Sequence, residues 1–157
     1  SRNGNDTDDI VPLNLEQGFT AKANIHFGEI EATADINRIG DGVCNITLIS
    51  PKALNGMNFQ YNGSDIQISY LGMSIKTDDD SLLANAMTSA IVKAVDTAAR
   101  GSGISMKKSG KTVLLKGEND NGNFELQVDK NTGSLLKLTI PEMDLECTFG
   151  TGDSETK

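Results

Sequence analysis

The stretch Phe19-Thr20-Ala21-Lys22-Ala23-Asn24-Ile25-His26-Phe27 and its continuation Ile30-Glu31-Ala32-Thr33-Ala34-Asp35-Ile36-Asn37 decide the reading of this chain. Phe19, Ala21, Ala23, Ile25 and Phe27 fall on one side of an extended backbone. Thr20, Lys22, Asn24 and His26 fall on the other. After Gly28 the alternation restarts, with Ile30, Ala32, Ala34 and Ile36 inward and Glu31, Thr33, Asp35 and Asn37 outward. A period of two marks a half-buried antiparallel strand, because successive side chains point to opposite faces of a sheet.

Working outward, further strands follow at Val43 to Ser50, Met57 to Tyr61, Ile66 to Tyr70 and Met73 to Lys76. Gly40-Asp41-Gly42 and Asn62-Gly63 supply turns of the favoured hairpin kind. The period then changes. From Asp78-Asp79-Asp80-Ser81 to Arg100-Gly101 the apolar residues recur at helical spacing. Asp80 is the expected N-cap, and Arg100 followed by Gly101 is the stop signal. Ala86, Leu83, Ala90, Ala94, Met87, Ala98, Ile91 and Val95 spread over roughly 180° of this helix at 100° per residue. A helix on a flat sheet needs a narrower stripe, so this arc predicts a sheet that curls around it. Beyond a Gly/Ser/Lys connection from Gly101 to Lys111, strands are expected at Thr112 to Gly117, Asn123 to Asp129, Ser134 to Pro141 and Met143 to Phe149. The expected class is α+β: a curved antiparallel sheet, an incomplete barrel, wrapped around one long central helix.

The length of 157 residues suits a single domain, assigned to residues 13–150. Only 4% of the residues are aromatic and none is Trp, so the core must be aliphatic. A net charge of -8 argues against nucleic acid and against attraction to an anionic bilayer, both of which need a concentrated basic surface. No stretch reaches the ~20 apolar residues of a membrane span. Residues 1–12 open on small, polar and acidic side chains. They read either as a frayed terminus or as a flexible tether to a lipidated cysteine removed from the chain. Residues 151–157 read as a flexible tail.

Few residues carry chemistry. The lone His26 lies on an outward strand face, which leaves no partner for a nucleophilic triad and too few ligands for zinc. Cys44 and Cys147 both lie on aliphatic faces and read as buried thiols or as a bridge. Gly110-Lys111-Thr112 resembles the end of a phosphate loop, but Ser105 stands where the first Gly is needed and Val113-Leu114-Leu115 reads as strand. Asp129-Lys130-Asn131-Thr132-Gly133 lacks the downstream Gly and Glu of a calcium loop and reads as a hairpin turn. Glu142, Asp144 and Glu146 read as a solvated outward face. The expectation is therefore a protein that is not an enzyme and holds no metal or cofactor.

The segments Phe59-Gln60-Tyr61-Asn62-Gly63-Ser64-Asp65-Ile66-Gln67-Ile68-Ser69-Tyr70 and Asn123-Phe124-Glu125-Leu126-Gln127-Val128-Asp129 to Leu138 resemble hairpins of the LolA-like lipoprotein-carrier superfamily. The resemblance extends over most of the chain in element order. It implies an incomplete antiparallel barrel closed by helices over a cavity for acyl chains. On that basis the chain is expected to be an extracytoplasmic module, tethered to the cell envelope, that holds a lipid or lipoprotein acyl chain between sheet and helix. The expected wall residues are Phe27, Met57, Phe59, Tyr61, Ile68, Tyr70, Met87 and Ile91. The alternative is a surface-anchored scaffold or protein-interaction domain with a filled core. The space under Met87 and Ile91 separates the two.

Overall fold

The computed structural model describes residues 18–63, 65–70, 73–74 and 79–150. The expected tether (1–12), the tail (151–157) and the side chain of the expected cap Asp80 lie outside the described residues. The strands are β1 (Phe19–Phe27), β2 (Ile30–Gly40), β3 (Val43–Ser50), β4 (Met57–Asn62), β5 (Asp65–Tyr70) and β6 (Met73–Ser74). A helix, α1 (Asp79–Arg100), follows. The chain then forms β7 (Ser105–Ser109), β8 (Thr112–Asn119), β9 (Gly122–Asp129), β10 (Leu135–Ile140) and β11 (Leu145–Gly150).

All eleven strands belong to one sheet, in the order β6-β5-β4-β3-β2-β1-β11-β10-β9-β8-β7. Every neighbouring pair is antiparallel. The alternating stretch that opens the chain occupies the centre, with β1 bonded to β2 on one side and β11 on the other. Each half then meanders outward. The helix leaves the sheet at the β6 edge and returns it at the β7 edge.

One face of the sheet carries the core. Ile25, Ala34, Ile46, Leu48 and Phe59 are buried in the first half, and Val113, Leu115, Leu126, Leu138 and Cys147 in the second. Polar bonds fix the helix across this face. The hydroxyl of Tyr61 on β4 donates to Asn85 Oδ1 at 3.3 Å and shares a hydrogen bond with Thr88. Arg38 on β2 pairs with Asp96, which also accepts the backbone N–H of Gly42 at 3.1 Å. Asn119 on β8 donates to Thr97 Oγ1 at 3.4 Å.

The expected α+β class, with an incomplete barrel wrapped around a central helix, is corrected here. Strand residues outnumber helical ones more than threefold, and the sheet is open, not closed into a barrel. Among the described residues neither β6 nor β7 has a partner on its outer side. The physical reason is that the edge strand β7 is polar and mostly exposed, so pairing the edges buries little apolar surface. The breadth of the helix's apolar arc reports how many neighbours the helix has, which does not by itself say that the strands curl into a barrel.

Two local readings also change. The Gly/Ser/Lys connection contains β7, an edge strand whose Ser-Met-Lys-Lys-Ser composition is polar because its outer side is unpaired. Glu142, Asp144 and Glu146 are all exposed, as expected of a solvated face, but only Glu146 lies in a strand, since Pro141–Met143 form a 3-10 turn that ends on Asp144 at φ 53°. The remaining turns follow their sequence. Asp129 Oδ1 accepts the backbone N–H groups of Asn131 (2.8 Å) and Thr132 (2.9 Å), in the hairpin turn expected there. Gly110 and Lys111 turn directly between β7 and β8.

Candidate apolar site

The eight expected wall residues separate into two sets. Met57, Phe59, Tyr61, Met87 and Ile91 are core, none of them more than 5% exposed. Phe27, Ile68 and Tyr70 are half-buried at its margin. Phe27 sits at the end of β1 opposite Ile30 and Leu145, four strands away from β5, so it does not join the other two.

The void seen between helix and sheet among the described residues is small. A void of about 10 Å³ lies among Ile36, Cys44, Ile91, Val95 and their neighbours. That is about the room of one water, and no acyl chain fits it. The alanines explain the tightness. Ala84, Ala90, Ala94 and Ala98 on α1 and Ala23, Ala32 and Ala34 on the strands are all buried and let the backbones approach closely.

Apolar surface is uncovered at one end of this interface. Ile66, Ile68 and Tyr70 on β5 stand directly opposite Tyr61, Phe59 and Met57 on β4, so they share the core-facing side of the sheet. Their β4 partners are buried, yet Ile66 is 42% exposed and the other two are half-covered. On α1, Leu83 continues the row of Met87, Ala90 and Ala94 by helical spacing. It is nevertheless 45% exposed, and its neighbour Leu82 is 54% exposed. These leucines lie less than one turn before Asn85, whose side chain meets Tyr61 beside β5. Both apolar rows thus run past the cover that buries their other members. Ile66, Leu82 and Leu83 were missed as site residues because period alone places Ile66 and Leu83 in the core. Only the extent of cover shows that they are not.

The ionisable groups are tuned by burial and by surface pairs. Burial pushes the Cys44 thiol up to about 12 and drives Cys147 higher still. Both thiols are free. Burial likewise raises the Tyr61 hydroxyl to about 12, despite its bond to Thr88. His26 faces Glu31 at 2.5 Å, and that bond raises its pKa. Lys137 at 2.5 Å lowers Glu146. Among the described residues no group of three or more His, Cys, Asp or Glu side chains is placed to hold a metal ion, and no helix is long and apolar enough to cross a membrane.

No family model matches the chain, and no curated protein matches it. Solved structures do resemble it. An uncharacterised conserved protein from Thermus thermophilus is 12% identical, with a TM-score of 0.56 over 95% of this chain and 87% of the other. At that identity the likeness concerns the fold alone. A LolA superfamily protein from Nitrosomonas europaea is 10% identical, with a TM-score of 0.42 over 95% of this chain and 70% of the other.

Proposed function

We propose that the protein is a non-catalytic, extracytoplasmic binding module for the acyl chain of a lipid or lipoprotein, held on the uncovered strip of β5 and the first turns of α1. The observation that carries this reading is that Ile66, Ile68, Tyr70, Leu82 and Leu83 are apolar and incompletely covered, and that Asn85, just after the two leucines, bonds Tyr61 on the strand beside β5. An extended chain laid there removes its own methylenes and these side chains from water. About ten methylenes at ~0.8 kcal/mol each contribute ~8 kcal/mol, which is micromolar affinity before the costs of association. The deep groove among Met57, Phe59, Met87 and Ile91 is not needed. On this reading those residues form the rigid floor beside the strip.

The test is displacement of a fluorescent fatty acid, supported by native mass spectrometry of the purified protein. Leu83→Gln and Ile66→Gln, both at exposed positions, are expected to weaken binding about tenfold each while leaving thermal stability within about 1 kcal/mol. Saturable binding that neither change affects, or no binding at all, refutes the proposal.

One observation favours a second reading, a scaffold or protein-interaction domain without a small-molecule ligand. The void under Ile91 has room for about one water. A clean ligand-free mass, combined with failure of fatty-acid binding, is the outcome expected for that alternative.

A further inference from the structure

The opposite face of the sheet carries a second recess, and we infer that it binds a neutral, hydroxyl-rich ligand of the saccharide class. Its walls come from three adjacent strands at the centre of the molecule. Thr20 on β1 stands opposite Asn37 on β2, which in turn stands opposite Asn45 on β3. In the next row, Lys22 stands opposite Asp35 and Asp35 opposite Thr47. Together with Ala21 and Ile36, these six residues line a groove of about 320 Å³, open to solvent on the face away from the helix.

The chemistry of the lining selects the ligand. Lys22 and Asp35 are paired at 2.8 Å, so the charges in the groove cancel. The other four side chains are hydroxyls and amides, which offer donors and acceptors side by side. Hydroxyl groups answer that pattern because each both donates and accepts. An anion meets no uncompensated cation in the groove and a chain of net charge -8. A peptide adding as a strand needs a free sheet edge, and β1, β2 and β3 are all bonded on both sides.

Asn45 adds an independent sign. Its Oδ1 is buried and accepts no hydrogen bond. A buried acceptor left unpaired is unfavourable, and native proteins seldom keep one without a reason. Asn45 lines the groove, so a ligand hydroxyl that reaches its amide supplies the missing donor. Neighbouring Thr47 already accepts from Asn58 Nδ2 at 2.7 Å, which holds that wall in place.

The experiment is a titration of isotopically labelled protein, followed by amide and side-chain NMR signals, with glucose, cellobiose and the N-acetylglucosamine dimer as probes. We expect at least one disaccharide to produce saturable shifts at Thr20, Asn37, Asn45 and Thr47. Affinity should fall about tenfold in Asn45→Ala and about fivefold in the exposed variant Asn37→Ala, as expected for loss of one hydrogen bond each. Unchanged signals from the opposite face verify that both variants fold. Three results overturn the proposal: no saturable shift with any of the three sugars, equal binding in both variants, or shifts that map to β5 and the helix start. Inorganic phosphate displacing the sugar overturns the neutral class. Because the acyl-chain site lies on the other face, Leu83→Gln should leave this titration unchanged, and failure here leaves that reading standing.

Discussion

Replacing Asp96 by Ala should bring the protein close to unfolding. Asp96 sits on α1 with its side chain 11% exposed, paired with an Arg38 side chain that is 2% exposed. It also accepts the N–H of Gly42 at 3.1 Å in the turn between β2 and β3. Removing one member of a buried ion pair costs ~3–5 kcal/mol, because the remaining charge stays buried. Loss of the Gly42 acceptor adds ~1 kcal/mol. The total, ~4–6 kcal/mol, is a large share of the ~5–15 kcal/mol that holds a typical domain together. For a chain of this size it lowers Tm by about 10–20 °C. Thermal and urea melts followed by circular dichroism measure it directly. The double change Arg38→Met with Asp96→Leu removes both charges and should recover most of the loss. Asp96→Ala melting within about 1 kcal/mol of the parent would refute the reasoning. So would a double variant as unstable as the sum of the single ones, since the cost would then not arise from the loss of the Arg38–Asp96 pairing.

Three further outcomes are expected. Gly122→Ala should destabilise by ~1–3 kcal/mol in urea melts, because φ 106° is a backbone conformation that a side chain strains, while the exposed Glu142 carboxylate beside it can swing aside. Gly110→Ala, at φ 63° with nothing within 4 Å, should cost less than Gly122→Ala. Cys44 and Cys147 should resist aromatic disulfide reagents until denaturant is added, even when pH is raised towards about 9, since burial holds both thiols neutral; prompt labelling of both in the folded protein would contradict this. His26 should titrate above 6.5 and return towards it in Glu31→Gln. Because its folded pKa is raised, the contribution of this contact is complete below the unfolded pKa and fades as pH climbs through the folded value. An unchanged NMR titration midpoint in Glu31→Gln would show that the bond to Glu31 is not the cause.

Much of the strand framework was legible. The alternation from Phe19 to Asn37 gives β1 and β2 with the correct faces, since Ala23, Ile25, Ala32, Ala34 and Ile36 are buried and Thr20, Asp35 and Asn37 are exposed. Gly40-Asp41-Gly42 and Asn62-Gly63 mark real turns for local conformational reasons. β7 was not legible, because an edge strand needs no apolar alternation to be stable. The 3-10 turn at Pro141 was hidden behind an accidental period of two. For the apolar site, residue type was readable and exposure was not. Phe59 and Ile68 look alike in the sequence and are direct cross-strand partners, yet one is core and the other lies at the margin.

What this sequence determined alone was local: which residues alternate, where the helix runs, and which face of each strand prefers to be dry. Those follow from steric periods of two and 3.6 and from turn chemistry, which act over a few residues. The tertiary structure decided that the sheet stays open, that buried alanines line the contact of helix and sheet, and that cover stops short at β5 and Leu83. Such outcomes depend on how much surface each element can hide once all are assembled, a sum over distant parts of the chain that no short window contains.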